Sequence, residues 1–148
     1  MLSIGMSAPH WTGNDQDGKP HASDDYVGKW LLLYFYPEDD TSGCTAEACG
    51  FRDAFSTLSS RISIVGVSAD SVESHRKFAS KYALPFTLIA DPEKKISTAF
   101  GADGLQFPKR VTFLIDPKGK IEKIYSGFDP ALHASTIVKD LSVLTTNH

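Results

Sequence analysis

Residues 30–55 decide the fold, and they read WLLLYFYPEDDTSGCTAEACGFRDAF. The first seven of them are apolar without a break, which is typical of a strand buried on both faces, and Pro37 ends the run. Over residues 44–59, apolar side chains then recur at spacings of four and three, which predicts a helix with one buried face. The stretch therefore predicts a buried strand, a loop, and a helix that begins at Cys44.

Further strands and helices alternate after this stretch. Strand-like runs occupy residues 62–68, 86–90, 110–116 and the segment that ends at Tyr125. Helices are predicted from a capping box formed by Asp70 and Glu73, from Asp91-Pro92, and from Asp129-Pro130, where the inner face is Ile137, Leu141 and Leu144. This alternation predicts an α/β fold in which helices flank both faces of a sheet.

The connections between strands indicate a mixed sheet. The last two strands are joined by residues 117–120 alone, which is too short for a parallel crossover, so this pair is expected to be antiparallel. Asp17-Gly18 is a hairpin-turn signal within the first 29 residues. The order of elements is similar to a thioredoxin-like fold with an N-terminal β-hairpin extension.

Length and composition limit the classes of function. The chain has 148 residues, which predicts one domain spanning 1–148, and its net charge of −3 offers no basic surface for nucleic acid or an anionic membrane. Its longest apolar run is far shorter than a membrane span, and its first residues do not resemble a secretory signal. We therefore expect a cytoplasmic protein, in which two cysteines are more often catalytic, redox-active or metal-binding than structural.

Cys44 stands where a predicted helix begins directly after a strand. The free N–H groups and the positive end of a helix favour an anion at that position, so the thiolate, which is the nucleophile, is favoured there. The alternative is that Cys44 is a small buried apolar residue, since free cysteines are often buried. Position alone leaves both interpretations open.

Cys49 adds a constraint on any disulfide. Two residues five apart in an intact α-helix have Cα atoms about 8.7 Å apart. A disulfide needs about 4.4–6.8 Å. If Cys44 and Cys49 bond, the start of the helix must unwind, so the pair would be a switch; otherwise both are reduced packing residues.

A family resemblance rests on three motifs in this sequence. The pattern Pro37-x-x-x-Thr41-x-x-Cys44 resembles the peroxiredoxin active-site signature, and the segment CTAEACGFRD at residues 44–53 is similar to the bacterioferritin comigratory protein (peroxiredoxin Q) subfamily. The segment RVTFLID at residues 110–116 resembles the strand that carries the active-site arginine of that family. The chain departs from the pattern at Ser42 and in residues 101–109, beside the expected site.

The resemblance implies a thiol peroxidase and a role for each motif residue. Cys44 would attack the hydroperoxide, and Cys49 would resolve the resulting sulfenic acid as a disulfide. Thr41 would hydrogen-bond the peroxide, Arg110 would favour the thiolate and orient the oxygens, and Pro37 would shield the site from water. Glu47 would hold Arg110 in place.

The implied partners are a hydroperoxide and a dithiol reductant such as thioredoxin. The resemblance indicates a monomer, and it implies no metal, haem or flavin cofactor.

Each residue also has a simpler interpretation. Thr41 could be only a helix N-cap, Pro37 could only end a strand, and Arg110 could be an ordinary surface cation. Arg52 is interpreted as structural.

Three other functions are weighed against the peroxidase. A metal site is disfavoured because the two cysteines and the five histidines lack paired ligand spacing, and a thioredoxin-type reductase is disfavoured because CxxxxC replaces CxxC. A non-catalytic redox sensor on the same fold is the leading alternative.

Overall fold

A single seven-stranded sheet forms the centre of the computed structural model, which describes residues 2–144. Its strands are β1 (Thr12–Asn14), β2 (Pro20–Ala22), β3 (Trp30–Phe35), β4 (Ile62–Ser68), β5 (Thr87–Ala90), β6 (Val111–Ile115) and β7 (Ile121–Ser126). The strand order is β2-β1-β5-β4-β3-β6-β7. The pairs β3–β4 and β4–β5 are parallel, whereas β6 is antiparallel to both β3 and β7, as expected for the closing pair.

The N-terminal hairpin extends this sheet. β1 and β2 pair antiparallel around the Asp17-Gly18 turn, and Gly18 has a φ of +78°, which glycine adopts without steric cost. The Gln16 side chain continues the pairing with β5, because it donates to the Phe86 carbonyl and accepts from the Leu88 N–H, both at 2.9 Å. The predicted mixed sheet and hairpin extension are thus confirmed.

Helices cover both faces of the sheet, and they are α1 (Ser42–Asp53), α2 (Phe55–Leu58), α3 (Val72–Tyr82), α4 (Lys95–Ala99) and α5 (His133–Leu144). Every residue of β3 is buried, because alternate side chains enter two separate apolar cores. Helices α1, α3 and α5 pack on one core, and α4 packs on the other. Within residues 2–144, no helix combines the length and the apolar character that crossing a membrane requires.

The helix predicted over residues 44–59 is two helices, and it begins earlier than expected. Helix α1 starts at Ser42, so Cys44 is its third residue rather than its first. The chain leaves the helical conformation at Ala54, where φ is −94° and ψ is 2°, and α2 then carries Leu58 into the core. The buried face is otherwise as predicted, with Ala48 and Phe51 in the same core as Cys44.

The starts of α3 and α4 differ from the sequence prediction because other side chains cap them. The predicted capping box with Asp70 is wrong: the Ser71 hydroxyl accepts from the Ser74 N–H at 3.1 Å. Helix α4 begins at Lys95 instead of Pro92, because the Asp91 carboxylate reaches forward to the Ile96 and Ser97 N–H groups at 3.1 and 3.0 Å.

Helix α5 also begins later than predicted. The Asp129 carboxylate accepts from the Ala131 N–H at 3.0 Å in a turn that precedes His133, the first helical residue. Two of the three residues predicted for its inner face, Ile137 and Leu141, are fully buried, and Leu144 packs at the edge of the same core.

Candidate active site

Cys44 lies in the first turn of α1, at the end of the loop that follows β3. The first intrahelical bond runs from the Thr45 N–H to the Thr41 carbonyl at 2.8 Å, so the preceding N–H groups have no partner within the helix. The Cys44 side chain is only 1% exposed. Cys44 is therefore a buried residue at the positive end of a helix, beside N–H groups that have no intrahelical partner.

Arg110 reaches the Cys44 sulfur from the neighbouring strand. It immediately precedes β6, whose first residue, Val111, pairs with Phe35 at the end of β3. Its Nη2 lies 3.3 Å from Sγ of Cys44, and its Nη1 donates to Oε1 of Glu47 at 2.8 Å. Burial opposes the charge of Arg110, but the Cys44 sulfur and the Glu47 carboxylate outweigh it, and the pKa of the guanidinium rises. Arg110 is therefore not an ordinary surface cation.

Glu47 is a fully buried acid beside this guanidinium. Its Oε1 accepts from Arg110, whereas its buried Oε2 has no hydrogen-bond partner within the described part of the chain. Burial disfavours the carboxylate and Arg110 favours it; burial is the larger effect, and the pKa of Glu47 rises to about 7. Glu47 therefore makes the expected contact with Arg110, and its raised pKa lies near neutral pH.

Thr41 and Pro37 lie on the loop between β3 and α1. Thr41 occupies the N-cap position, but its hydroxyl does not cap the helix and instead donates to the Glu38 carbonyl at 2.9 Å. The oxygen of that hydroxyl still has lone pairs to accept another hydrogen bond. Pro37 is half-buried two residues after the end of β3. The simple N-cap interpretation of Thr41 therefore does not describe its side chain.

Cys49 lies in the second half of α1, and both cysteines are free thiols. Cys49 is half-buried, whereas Cys44 is buried. The helix continues without a break through both residues, so they stand in the geometry that a disulfide cannot span. Arg52 donates to the Tyr82 carbonyl at 2.9 Å and to Asp53 at 3.0 Å, which agrees with its structural interpretation.

His133, at the first position of α5, is a residue near the site that the sequence did not single out. Its ring stacks on Phe128 at 3.7 Å and meets the edges of Phe51 and Tyr125, and its Nε2 pairs with the Thr112 hydroxyl at 2.9 Å. Burial, reinforced by the charge of Arg110, lowers the pKa of His133 to about 4. A neutral imidazole therefore packs behind α1.

A second group of polar side chains lies under the loop that precedes α1. Asp39, Asp70 and His75 place one carboxylate or ring atom each within 4.8 Å of the others, a spacing that could suit a metal ion. These atoms already bond to protein groups: Asp39 to His75, and Asp70 to Ser68. The sequence offered one signal, since His75 precedes the buried Phe78 by three residues on the inner face of α3. Of the five histidines weighed as metal ligands in the sequence, His148 lies outside the described residues.

A cysteine in the first turn of the helix after a central strand thus contacts an arginine that immediately precedes an adjacent strand. This arrangement agrees with the thiol peroxidase class that the sequence motifs resemble. The model of the AhpC/TSA family matches residues 4–124. The chain belongs to this family, the peroxiredoxins, and within it to the bacterioferritin comigratory protein and peroxiredoxin Q group.

Relatives of known name support the assignment. A Coxiella burnetii protein provisionally named peroxiredoxin bcp is 40% identical over 93% of this chain and 97% of its own length. Chloroplastic peroxiredoxin Q of Sedum lineare is 39% identical over 97% of this chain and 80% of its own length.

Solved structures agree. Xylella fastidiosa PrxQ superposes with a TM-score of 0.93 at 27% identity, covering 98% of each chain. The bacterioferritin comigratory protein of Xanthomonas campestris, whose structure concerns its alkyl peroxide reduction activity, superposes with a TM-score of 0.84 at 28% identity, covering 89% of this chain and 90% of that one. These relatives support a thiol peroxidase function and the thioredoxin-like fold.

Proposed function

We propose that Cys44 reduces hydroperoxides as the attacking thiolate of this peroxidase. The observation that carries the proposal is the contact between Nη2 of Arg110 and the buried Cys44 sulfur in the first turn of α1. In the reaction, the sulfur bonds to one peroxide oxygen while the O–O bond breaks, and the departing oxygen takes up a proton. The products are a sulfenic acid on Cys44 and water or an alcohol, so the sulfur is oxidised and the peroxide is reduced.

Positive and hydrogen-bonding groups around the sulfur support this step. Negative charge moves onto the departing oxygen, and fixed donors aimed at that charge lower the barrier. Arg110 supplies such a charge, and the Thr41 hydroxyl, which already donates to Glu38, can accept from a protonated peroxide oxygen. Pro37, half-buried in the loop that precedes α1, is proposed to limit the access of water to the site.

Cys49 is proposed as the resolving residue. Its sulfur attacks the Cys44 sulfenic acid, a disulfide forms, and one water leaves. Because α1 runs unbroken through both cysteines, this step requires the first turns of α1 to unwind.

An external dithiol, proposed to be thioredoxin or a similar reductant, then reduces the disulfide by exchange. We further propose a monomeric, cytoplasmic protein that accepts hydrogen peroxide and organic hydroperoxides. The alkyl peroxide reduction of the Xanthomonas campestris relative supports the organic substrates.

The direct test is NADPH consumption with hydrogen peroxide, thioredoxin and thioredoxin reductase. Wild type is expected to turn over continuously, Cys44→Ser to be inactive, and Cys49→Ser to lose cycling that depends on thioredoxin. If Cys49→Ser cycles as fast as wild type, an outside thiol resolves the sulfenic acid. If wild type consumes about one equivalent of peroxide and stops, the same cysteine pair is a redox sensor or uses another reductant.

A further inference from the structure

The loop of residues 36–41 joins β3 to α1, and it determines where Thr41 and the first turn of α1 lie. One buried carboxylate inside this loop, that of Asp39, collects three side-chain hydrogen bonds. Its Oδ1 accepts from the Tyr36 hydroxyl at 2.5 Å, and its Oδ2 accepts from the Ser74 hydroxyl at 2.8 Å and faces Nδ1 of His75 at 2.7 Å. The loop is thereby tied to α3, which lies on the same core as α1.

Backbone contacts complete the attachment of Asp39. Its N–H donates to Oδ2 of Asp70 at 2.9 Å, and the Ser68 hydroxyl at the end of β4 donates to the same oxygen. Hydrogen bonds thus hold both the main chain and the side chain of Asp39. Asp39 lies two residues before Thr41.

The next residue, Asp40, is tied to α3 as well. It has a φ of +57°, a left-handed conformation that residues other than glycine rarely adopt. Its carboxylate accepts from Lys81 Nζ and from the Tyr82 hydroxyl, both at 2.7 Å. Two successive loop residues therefore depend on helix α3 for their conformation.

His75 is the most completely enclosed member of this arrangement, with no exposed surface. Its Nε2 faces the Ile89 carbonyl at 3.0 Å, and because a carbonyl only accepts, Nε2 carries a hydrogen. Its Nδ1 lies 2.7 Å from Oδ2 of the Asp39 carboxylate. His75 therefore bridges the Ile89 carbonyl of β5 and the Asp39 carboxylate of the loop, and these two contacts fix the orientation of its ring.

We propose that His75 is a positioning residue for the peroxide reaction at Cys44, acting through Asp39 and the loop that carries Thr41. This inference rests on the proposed function of Cys44. His75 touches neither the sulfur nor the substrate; it determines where the loop holds the Thr41 hydroxyl and the start of α1. A displacement of reacting groups by about 1 Å can reduce a rate about 100-fold, so a loosened loop should slow the chemical step.

Two amide variants separate the two contacts of the ring. In His75→Asn the amide overlaps the Nδ1 side and can still donate to Asp39, whereas in His75→Gln it overlaps the Nε2 side and reaches only Ile89. Ser71→Ala is the matched control, because it removes the N-cap of the same helix without touching Asp39. All three variants weaken α3 or its packing, but only His75→Gln loses the contact between residue 75 and Asp39.

The measurement is the stopped-flow rate constant for oxidation of Cys44 by hydrogen peroxide, with thermal unfolding measured in parallel. We expect His75→Gln to be slower by at least about tenfold, and His75→Asn and Ser71→Ala to stay within about threefold of wild type. A His75→Gln rate equal to wild type overturns the inference, as do rates that follow the melting temperature in all three variants. A wild-type protein that does not react with peroxide overturns the proposed function itself.

Discussion

Nη2 of Arg110 lies 3.3 Å from Sγ of Cys44, although 66 positions separate the two residues in the chain. The second guanidinium nitrogen, Nη1, binds Glu47, which lies one helical turn after Cys44. One planar group thus contacts Cys44 in the first turn of α1 and Glu47 in the second. A change that separates these two residues cannot keep both contacts, so the same side chain favours the helical arrangement and serves the proposed chemistry.

Arg110→Lys should slow the oxidation of Cys44 even though the charge is kept. A lysine ammonium is a single point donor, and it cannot contact the sulfur and Glu47 with the fixed fork of a guanidinium. We expect a loss of at least about tenfold in the stopped-flow rate constant for hydrogen peroxide, since removal of one oriented donor costs about 100-fold or more in other enzymes.

Arg52→Lys is the control for this variant, because Arg52 lies on α1 with Cys44 but bonds to Asp53 and Tyr82. It should react at the wild-type rate. Equal rates for wild type and Arg110→Lys would show that charge alone is sufficient.

Glu47→Gln should remove a pH dependence from the stability of the reduced protein. Burial raises the pKa of Glu47 from 4.5 to about 7, so between these values the folded state keeps a proton that the unfolded state has lost. The contribution of Glu47 is therefore complete below about pH 4.5 and disappears as the pH rises through 7, by about 3 kcal/mol at most. A glutamine has no such proton to lose, so the stability of Glu47→Gln should not fall for this reason as the pH rises.

Urea unfolding at pH 5 and pH 8 measures this difference. Cys44→Ser is the background for both proteins, so that titration of the thiol does not contribute. If both proteins change equally in stability between the two pH values, Glu47 does not titrate in this window.

His133→Gln should remove a pH dependence of stability whose sign is opposite to that of Glu47. The pKa of His133 is lowered from 6.5 to about 4, because its charged form is disfavoured by burial and by Arg110. The contribution of His133 is thus present above about pH 6.5 and is lost as the pH falls to 4, since the unfolded chain then binds the extra proton. Glutamine can keep the contact with the Thr112 hydroxyl but does not titrate.

Unfolding of the same Cys44→Ser background at pH 4.5 and pH 7 tests this prediction. Glu47→Gln is added to both proteins, because the opposite pH dependence of Glu47 would otherwise cancel that of His133. The protein that keeps His133 should then lose stability at pH 4.5, and the variant that also carries His133→Gln should have the flatter profile. A loss at pH 4.5 that is unchanged by His133→Gln would contradict the prediction.

Local sequence patterns were sufficient to predict most of the fold and the centre of the candidate site. β3 and α1 were predictable because continuous apolar runs and spacings of four and three report burial directly. Cys44 and Arg110 were predictable from the motifs, and the structure brings them together through the β3–β6 pairing. Their catalytic roles remain predictions.

The parts that could not be predicted depend on contacts distant in sequence. Asp70 and Ser71 are both good N-cap residues, and the choice falls on Ser71 because Asp70 binds the Asp39 N–H, 31 positions away. Similarly, the partner of His75 is 36 positions away, so no local pattern reveals that the ring is buried against a carboxylate. The capping of α4 by Asp91 was hidden because the carboxylate reaches five and six residues forward.

Oxidation of wild type by one equivalent of hydrogen peroxide should unwind the start of α1. A bond between Cys44 and Cys49 must bring Cα atoms from about 8.7 Å to less than about 7 Å, which an intact helix does not allow. We expect faster amide hydrogen exchange at residues 42–49 and a lower helical signal in circular dichroism. Cys49→Ser, which stops at the sulfenic acid, should keep the exchange protection of the reduced protein. Mass spectrometry and non-reducing electrophoresis identify the disulfide: if it forms while α1 stays protected, the bond must join two chains, and the proposal of resolution within one chain is wrong.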